Sequence, residues 1–127
     1  MKVRELVLKN HLTTTFFDPD PNRVDPDEPP ISERKIPIEY SCDKCLEAIK
    51  IETNSFEKHC NSEYSNLKEE DNESFRDFMK IKNLRDFSFL DFYCPKCHQA
   101  TKILYDGGPS GYWGEFSFEI KYIIVLI

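Results

Sequence analysis

The chain has 127 residues, 39% hydrophobic and 13% aromatic with ten Phe and six Tyr, so wholesale disorder is excluded and a single domain over 1–127 is expected. Four Gly and eight Pro exclude a collagen-like chain. Seventeen Lys and Arg against 23 Asp and Glu leave a net charge of −6, which disfavours a duplex-binding protein that works by neutralising phosphates.

In chain order, residues 3–8 read as a short first strand. They carry Glu5 and no long apolar run, so they do not read as a signal peptide. Residues 18–33 hold six acids, one base and five of the eight prolines. Proline removes backbone donors and pushes its predecessor to extended geometry, so an irregular acidic arm or loop is expected there. Residues 36–40 read as a strand with Pro37 at its start or on an edge, and 48–53 as a second strand. Asn54 and Glu57 have the form of a capping box, behind which Phe56, Cys60, Tyr64 and Leu67 recur at helical spacing. Phe75, Phe78 and Met79 mark a second helix after the acidic run Glu69-Glu70-Asp71.

The last third is strand-like. Residues 87–93 and 101–105 are aromatic and β-branched, and all four glycines fall in 106–114, a hairpin-type connection. In the final strand Phe116, Phe118, Ile120, Tyr122, Ile124 and Leu126 are expected to share one face. The other face runs polar through Glu115, Ser117, Glu119 and Lys121, then turns apolar at Ile123, Val125 and Ile127. A strand with one wet face does not need that switch, so the end of the strand is expected to be covered on both faces. The cover is either the inserted helices and the arm, or a second copy or partner docked on this strand. The fold class expected is α+β, mainly antiparallel β with two short helices.

The strongest chemical signal is Cys42-Asp43-Lys44-Cys45 with Cys94-Pro95-Lys96-Cys97. Two thiolates separated by two residues turn toward one ion in a tight knuckle, and two knuckles complete a tetrahedral site with Zn–S distances of about 2.3 Å. Each pair follows a strand ending in an aromatic, Tyr40 or Tyr93, and precedes another alternating stretch. The pattern resembles the zinc-ribbon family and its rubredoxin-like relatives, over less than half of the chain. The resemblance implies one structural Zn²⁺ per chain held by Cys42, Cys45, Cys94 and Cys97. Two departures stand out: Leu46 and His98 occupy positions where ribbon knuckles usually carry Gly, and 48 residues separate Cys45 from Cys94, which the two helices must occupy. The missing glycines argue for zinc over an electron-transferring iron.

Around this centre the other candidates are simpler. Cys60, beside His59, reads either as a further ligand or reactive thiol or as a buried apolar-like residue; His98 reads as a ligand or sulfur partner or as solvent-facing; His11 has no legible partner. Gly108-Pro109-Ser110-Gly111 lacks the last glycine of a nucleophile elbow, and Asp91, Glu115 and Glu119 read as solvated acids, so no catalysis is expected. The odd cysteine count and the absence of a long apolar run suit a reduced, cytoplasmic protein with no membrane role. Two functions remain. In size and charge the chain resembles small acidic bacterial immunity and inhibitor proteins, which implies protein–protein contact with a basic partner. The ribbon resemblance implies nucleic-acid binding, for which Lys44, Lys96, the cluster Lys80, Lys82 and Arg85, and the rings of Tyr112 and Trp113 are the candidates.

Overall fold

A computed structural model describes residues 2–17, 37–59, 64–84, 86–110 and 115–127. The expected acidic arm at 18–33, Cys60, Arg85, Tyr112 and Trp113 lie outside these residues. The elements run β1 (Val3–Leu6), α1 (Leu8–His11), β2 (Phe16–Phe17), β3 (Pro37–Ser41), β4 (Ala48–Glu52), α2 (Thr53–His59), α3 (Glu69–Ile81), β5 (Ser88–Tyr93), β6 (Ala100–Ser110) and β7 (Glu115–Leu126). The described residues are therefore mainly antiparallel sheet with short helices, an α+β arrangement.

The main sheet has the order β1-β7-β6-β5, with β2 also paired to β7, and every pairing is antiparallel. β3 and β4 form a separate hairpin. One face of the main sheet packs against this hairpin and α2 through Ile38, Tyr40, Ile51, Phe56, Leu90, Ile103, Tyr105, Phe118, Ile120, Ile123 and Val125. The other face packs against α3 through Phe75, Met79, Leu84, Leu104, Ile124 and Leu126. The result is three layers: hairpin with α2, sheet, and α3. Phe56 and Phe75 are each 0% exposed, and burying such a ring contributes about 1.5–3 kcal/mol.

α3 forms for reasons legible in its residues. Glu69, Glu70 and Asp71 fill its first turn, where negative charge meets the positive end of the helix dipole. Its end is closed by Asn83 at φ 58°, while the Leu84 amide donates to the Met79 carbonyl at 2.8 Å. Asn tolerates this left-handed position better than most residues, and Leu84 is buried beside Met79 in the second core.

Several elements depart from expectation. β1 stops at Leu6, and a one-turn helix follows where strand was expected to continue. α2 begins at Thr53, so Asn54 lies inside its first turn rather than at a cap. The stripe Phe56, Tyr64, Leu67 is divided: Phe56 enters the first core, Leu67 the second, and Tyr64 is exposed. The glycine-rich stretch joins β6 to β7, an antiparallel pair as a hairpin-type connection requires, but its residues 106–110 are themselves strand, with Gly107 paired to Phe118; 111–114 lie outside the described residues. A Cβ on Gly107 would lie 2.5 Å from the Ser117 carbonyl oxygen and 2.7 Å from Phe118 Cβ, so only glycine fits.

The most informative departure is in β7. Leu104 pairs with Tyr122 and Tyr105 with Ile120, so Lys121 is an extra residue, a β-bulge. The bulge exchanges the two faces. Phe118 and Ile120 join Ile123 and Val125 in the first core, while Tyr122, Ile124 and Leu126 face α3. The six residues from Phe116 to Leu126 therefore do not share one face. The end of the strand is covered on both sides by the chain itself, with Ile123, Ile124 and Val125 each 0% exposed. Ile127 is exposed.

Candidate metal centre

Both Cys-x-x-Cys segments sit where a hairpin reverses, between β3 and β4 and between β5 and β6. The two turns close with the same backbone pattern. The Cys42 amide donates to the Glu47 carbonyl at 2.9 Å and the Leu46 amide to the Cys42 carbonyl at 3.0 Å; the Cys94 amide donates to Gln99 and the His98 amide to Cys94, both at 2.9 Å. Leu46 and His98 each adopt φ 62°, the left-handed conformation that glycine would take without cost. The knuckle backbone is thus formed despite the missing glycines, at about 1–2 kcal/mol of strain per residue.

The 48-residue insertion does not separate the knuckles. Because the β3–β4 hairpin lies across one face of the main sheet, its turn meets the β5–β6 turn. The four sulfur atoms lie within 4.8 Å of one another, with Cys42 Sγ to Cys97 Sγ at 3.5 Å and Cys45 Sγ to Cys94 Sγ at 3.6 Å. All four cysteines are free, and a disulfide needs about 2.05 Å. A tetrahedron with metal–sulfur bonds of about 2.3 Å has edges near ~3.8 Å, so the donor set fits a tetrahedral thiolate ion.

The thiols differ in environment. Burial pushes Cys42 up to about 12, against the pull of the Cys45 and Lys44 amides that face its sulfur. At Cys45 the Glu47 amide works downward, but burial and the thiols of Cys94 and Cys97 raise it overall. At Cys94 burial works upward, but the amides of Cys97 and Lys96 and the thiols of Cys45 and Cys97 more than offset it and lower it to about 7. Amides pointing at sulfur in both knuckles stabilise thiolate, the form that ligates a metal.

Residues outside the motif hold the first knuckle. Asp43 is ion-paired with Arg4, and His11 Nε2 approaches it at 3.9 Å while His11 Nδ1 contacts the Ser41 carbonyl at 2.9 Å. Gln99 accepts from the Cys42 thiol at 3.7 Å and donates through Nε2 to the Leu126 carbonyl at 3.2 Å, tying the site to the end of β7. None of these was legible as a site residue, because Arg4 and Asp43 are 39 residues apart and meet only once β1 has paired with β7. His98 is exposed and is not part of the sulfur cluster. Lys44 and Lys96 are exposed at the knuckle tips, with Lys96 at 3.7 Å from Glu47.

Asp91 departs from its expected role as a solvated acid. It is 1% exposed, 3.6 Å from the equally buried Lys102 Nζ, and accepts from the Ser65 hydroxyl at 2.6 Å and the Asn66 amide at 2.8 Å. Lys102 also donates to Asn72 Oδ1 at 2.7 Å, and burial pushes its ammonium below the ordinary lysine range while Asp91 pulls it back. Glu119 is exposed. Among the described residues no helix is long and apolar enough to cross a membrane. Comparison with protein-family models, with curated proteins and with solved structures returned no match.

Proposed function

We propose that Cys42, Cys45, Cys94 and Cys97 hold one Zn²⁺ in a zinc-ribbon-like site, and that the protein is a non-enzymatic module acting by protein–protein contact, in the manner of an immunity or inhibitor protein for a basic partner. The observation that supports this reading is the closed sulfur cluster in an acidic chain. Four protein thiolates fill a tetrahedral zinc and leave no open position for a substrate, so the ion's role is structural. Soft thiolates select zinc or iron, and the left-handed knuckle residues here carry side chains rather than the glycines of the iron proteins they resemble. On the surface, α3 presents Glu69, Glu70, Glu73 and Asp77 exposed, a charge pattern that steers a basic partner and speeds its association.

Nucleic-acid binding is the second reading, supported by the exposed Lys44 and Lys96 at the knuckle tips. The test is co-purification with the product of the adjacent reading frame, followed by association kinetics against salt. Formation of a complex whose on-rate falls with salt, and falls further when Glu69, Glu70 and Asp71 are replaced by Lys, supports the inhibitor reading. Absence of a complex, with oligonucleotide binding that is lost on Lys44→Ala and Lys96→Ala, overturns it in favour of the second.

A further inference from the structure

On the side of the sheet away from the hairpin, α3 and the edge strand β5 do not close completely. They leave a cleft of about 480 Å³, within the range of small-molecule sites. Its walls differ in chemistry. One is aromatic, from Phe87 and Phe89. The other is a polar stripe of α3, since Asn72, Arg76 and Lys80 recur every fourth residue and share one helix face. The floor is Lys102, whose Nζ lies 4.1 Å from the centroid of the Phe89 ring.

Exposed cations line the cleft although the chain is acidic. Arg76 and Lys80 stand there with one acid, Asp77, while the charge of Lys102 on the floor is met by the buried Asp91 at 3.6 Å. Lys80 has no ion-pair partner among the described residues, and Arg76 is paired with Glu69 on open surface, where such a pair is worth little and exchanges readily. Asn72 uses its Oδ1 to accept from Lys102, which turns its Nδ2 donors to other partners; among the described residues they have none. Donors for an anion and an aromatic wall thus face the same space.

We propose that this cleft binds a small organic anion with a flat aromatic body, its ring against Phe87 and Phe89 and its carboxylate or sulfonate held by Arg76, Lys80 and the Asn72 amide. The site lies on the opposite face of the sheet from β3 and β4 and is independent of the metal. Bidentate guanidinium contact and a free ammonium select carboxylate, sulfonate or phosphate over neutral polar groups. The aromatic wall selects planar rings over aliphatic chains of the same charge.

Titration of ¹⁵N-labelled, metal-loaded protein with 1-naphthoate and 2-naphthalenesulfonate tests this, with neutral 1-naphthalenemethanol as control. Saturable shifts are expected at residues 72–80, 87–89 and 102, with the anions binding at least tenfold more tightly than the alcohol. The double variant Arg76→Ala/Lys80→Ala, altered only at exposed positions, is expected to keep its fold and to lose at least tenfold in anion affinity while binding the alcohol unchanged. Absence of saturable shifts with either anion, shifts centred elsewhere, or equal anion affinity in the double variant would overturn the proposal.

Discussion

The two faces of the main sheet are fastened differently. On one, a two-stranded hairpin and a short helix lie over Ile103, Tyr105, Phe118 and Ile123, and the corner is joined by four thiols. On the other, a 13-residue helix lies over Leu104, Ile124 and Leu126, with a lysine and an aspartate buried beneath it. Apolar burial supplies most of the stabilisation on both, but it is non-directional and leaves an overlying element free to slide. Each face therefore carries a directional contact. The first is fastened by thiols that could hold an ion taken from outside, the second by charges carried by the chain, and the two are expected to fail under different conditions.

The largest effect is expected on the sulfur face. Structural zinc contributes about 10–16 kcal/mol of apparent binding energy in small domains, comparable with the ~5–15 kcal/mol by which whole domains are stable. Cys42→Ser or Cys97→Ser, or a strong chelator, is expected to abolish metal binding and to lower the thermal midpoint steeply. Hydrogen exchange is expected to show β3 and β4 losing protection before β6 and β7. One zinc per chain by elemental analysis is the accompanying expectation. A metal-free protein of unchanged midpoint would remove the distinction between the faces.

The second effect belongs to the charged face. Lys102→Met leaves Asp91 buried without its cation, which costs about 3–5 kcal/mol. Chemical denaturation is expected to show this loss with metal content unchanged. Replacing Asp91 as well, by Asn, is expected to recover part of it, because no buried charge then remains.

A smaller cost is expected for Gly107→Ala, where β6 and β7 approach too closely for a Cβ. Moving the Ser117 carbonyl costs about 1–3 kcal/mol, read as an earlier denaturation midpoint. The smallest effect has the opposite sign. Leu46→Gly releases the strained φ of the first knuckle, and Leu46 is 77% exposed, so little burial is lost. After the added entropy of glycine in the unfolded chain, a gain of roughly 0.5–1 kcal/mol is expected, with metal affinity unchanged or higher.

What was legible in the residues followed the range of the interactions involved. The Cys-x-x-Cys spacing is a local geometric requirement, and both turns formed where it placed them, even with Leu46 and His98 in glycine's conformation. α3 was legible because Phe75, Phe78 and Met79 show their period within one element. The bulge at Lys121 was not, because a period of two carries no sign of where two residues will oppose one. That single insertion moved Phe118 and Ile120 to the same core as Ile123 and Val125. The pairing of Asp91 with Lys102 depends on the β5–β6 register, which the second knuckle sets, so the acid looked solvated until its cross-strand neighbour was known. Gln99 and Asp43 escaped for the same reason: their partners, Leu126 and Arg4, are distant in the chain.

The pairing of β1 with β7 has a consequence in time. Val3 lies opposite Leu126 and Leu6 opposite Ile123, so the earliest strand made has no neighbour until the latest has been synthesised. During that interval Cys42 and Cys45 are already present while Cys94 and Cys97 are not. A nascent chain thus offers two of the four clustered thiols beside an unpaired strand edge that invites association with other chains. Closure of the sheet and completion of the sulfur cluster both wait on the same final third of the chain, so folding is expected to be slow to begin and cooperative once it does.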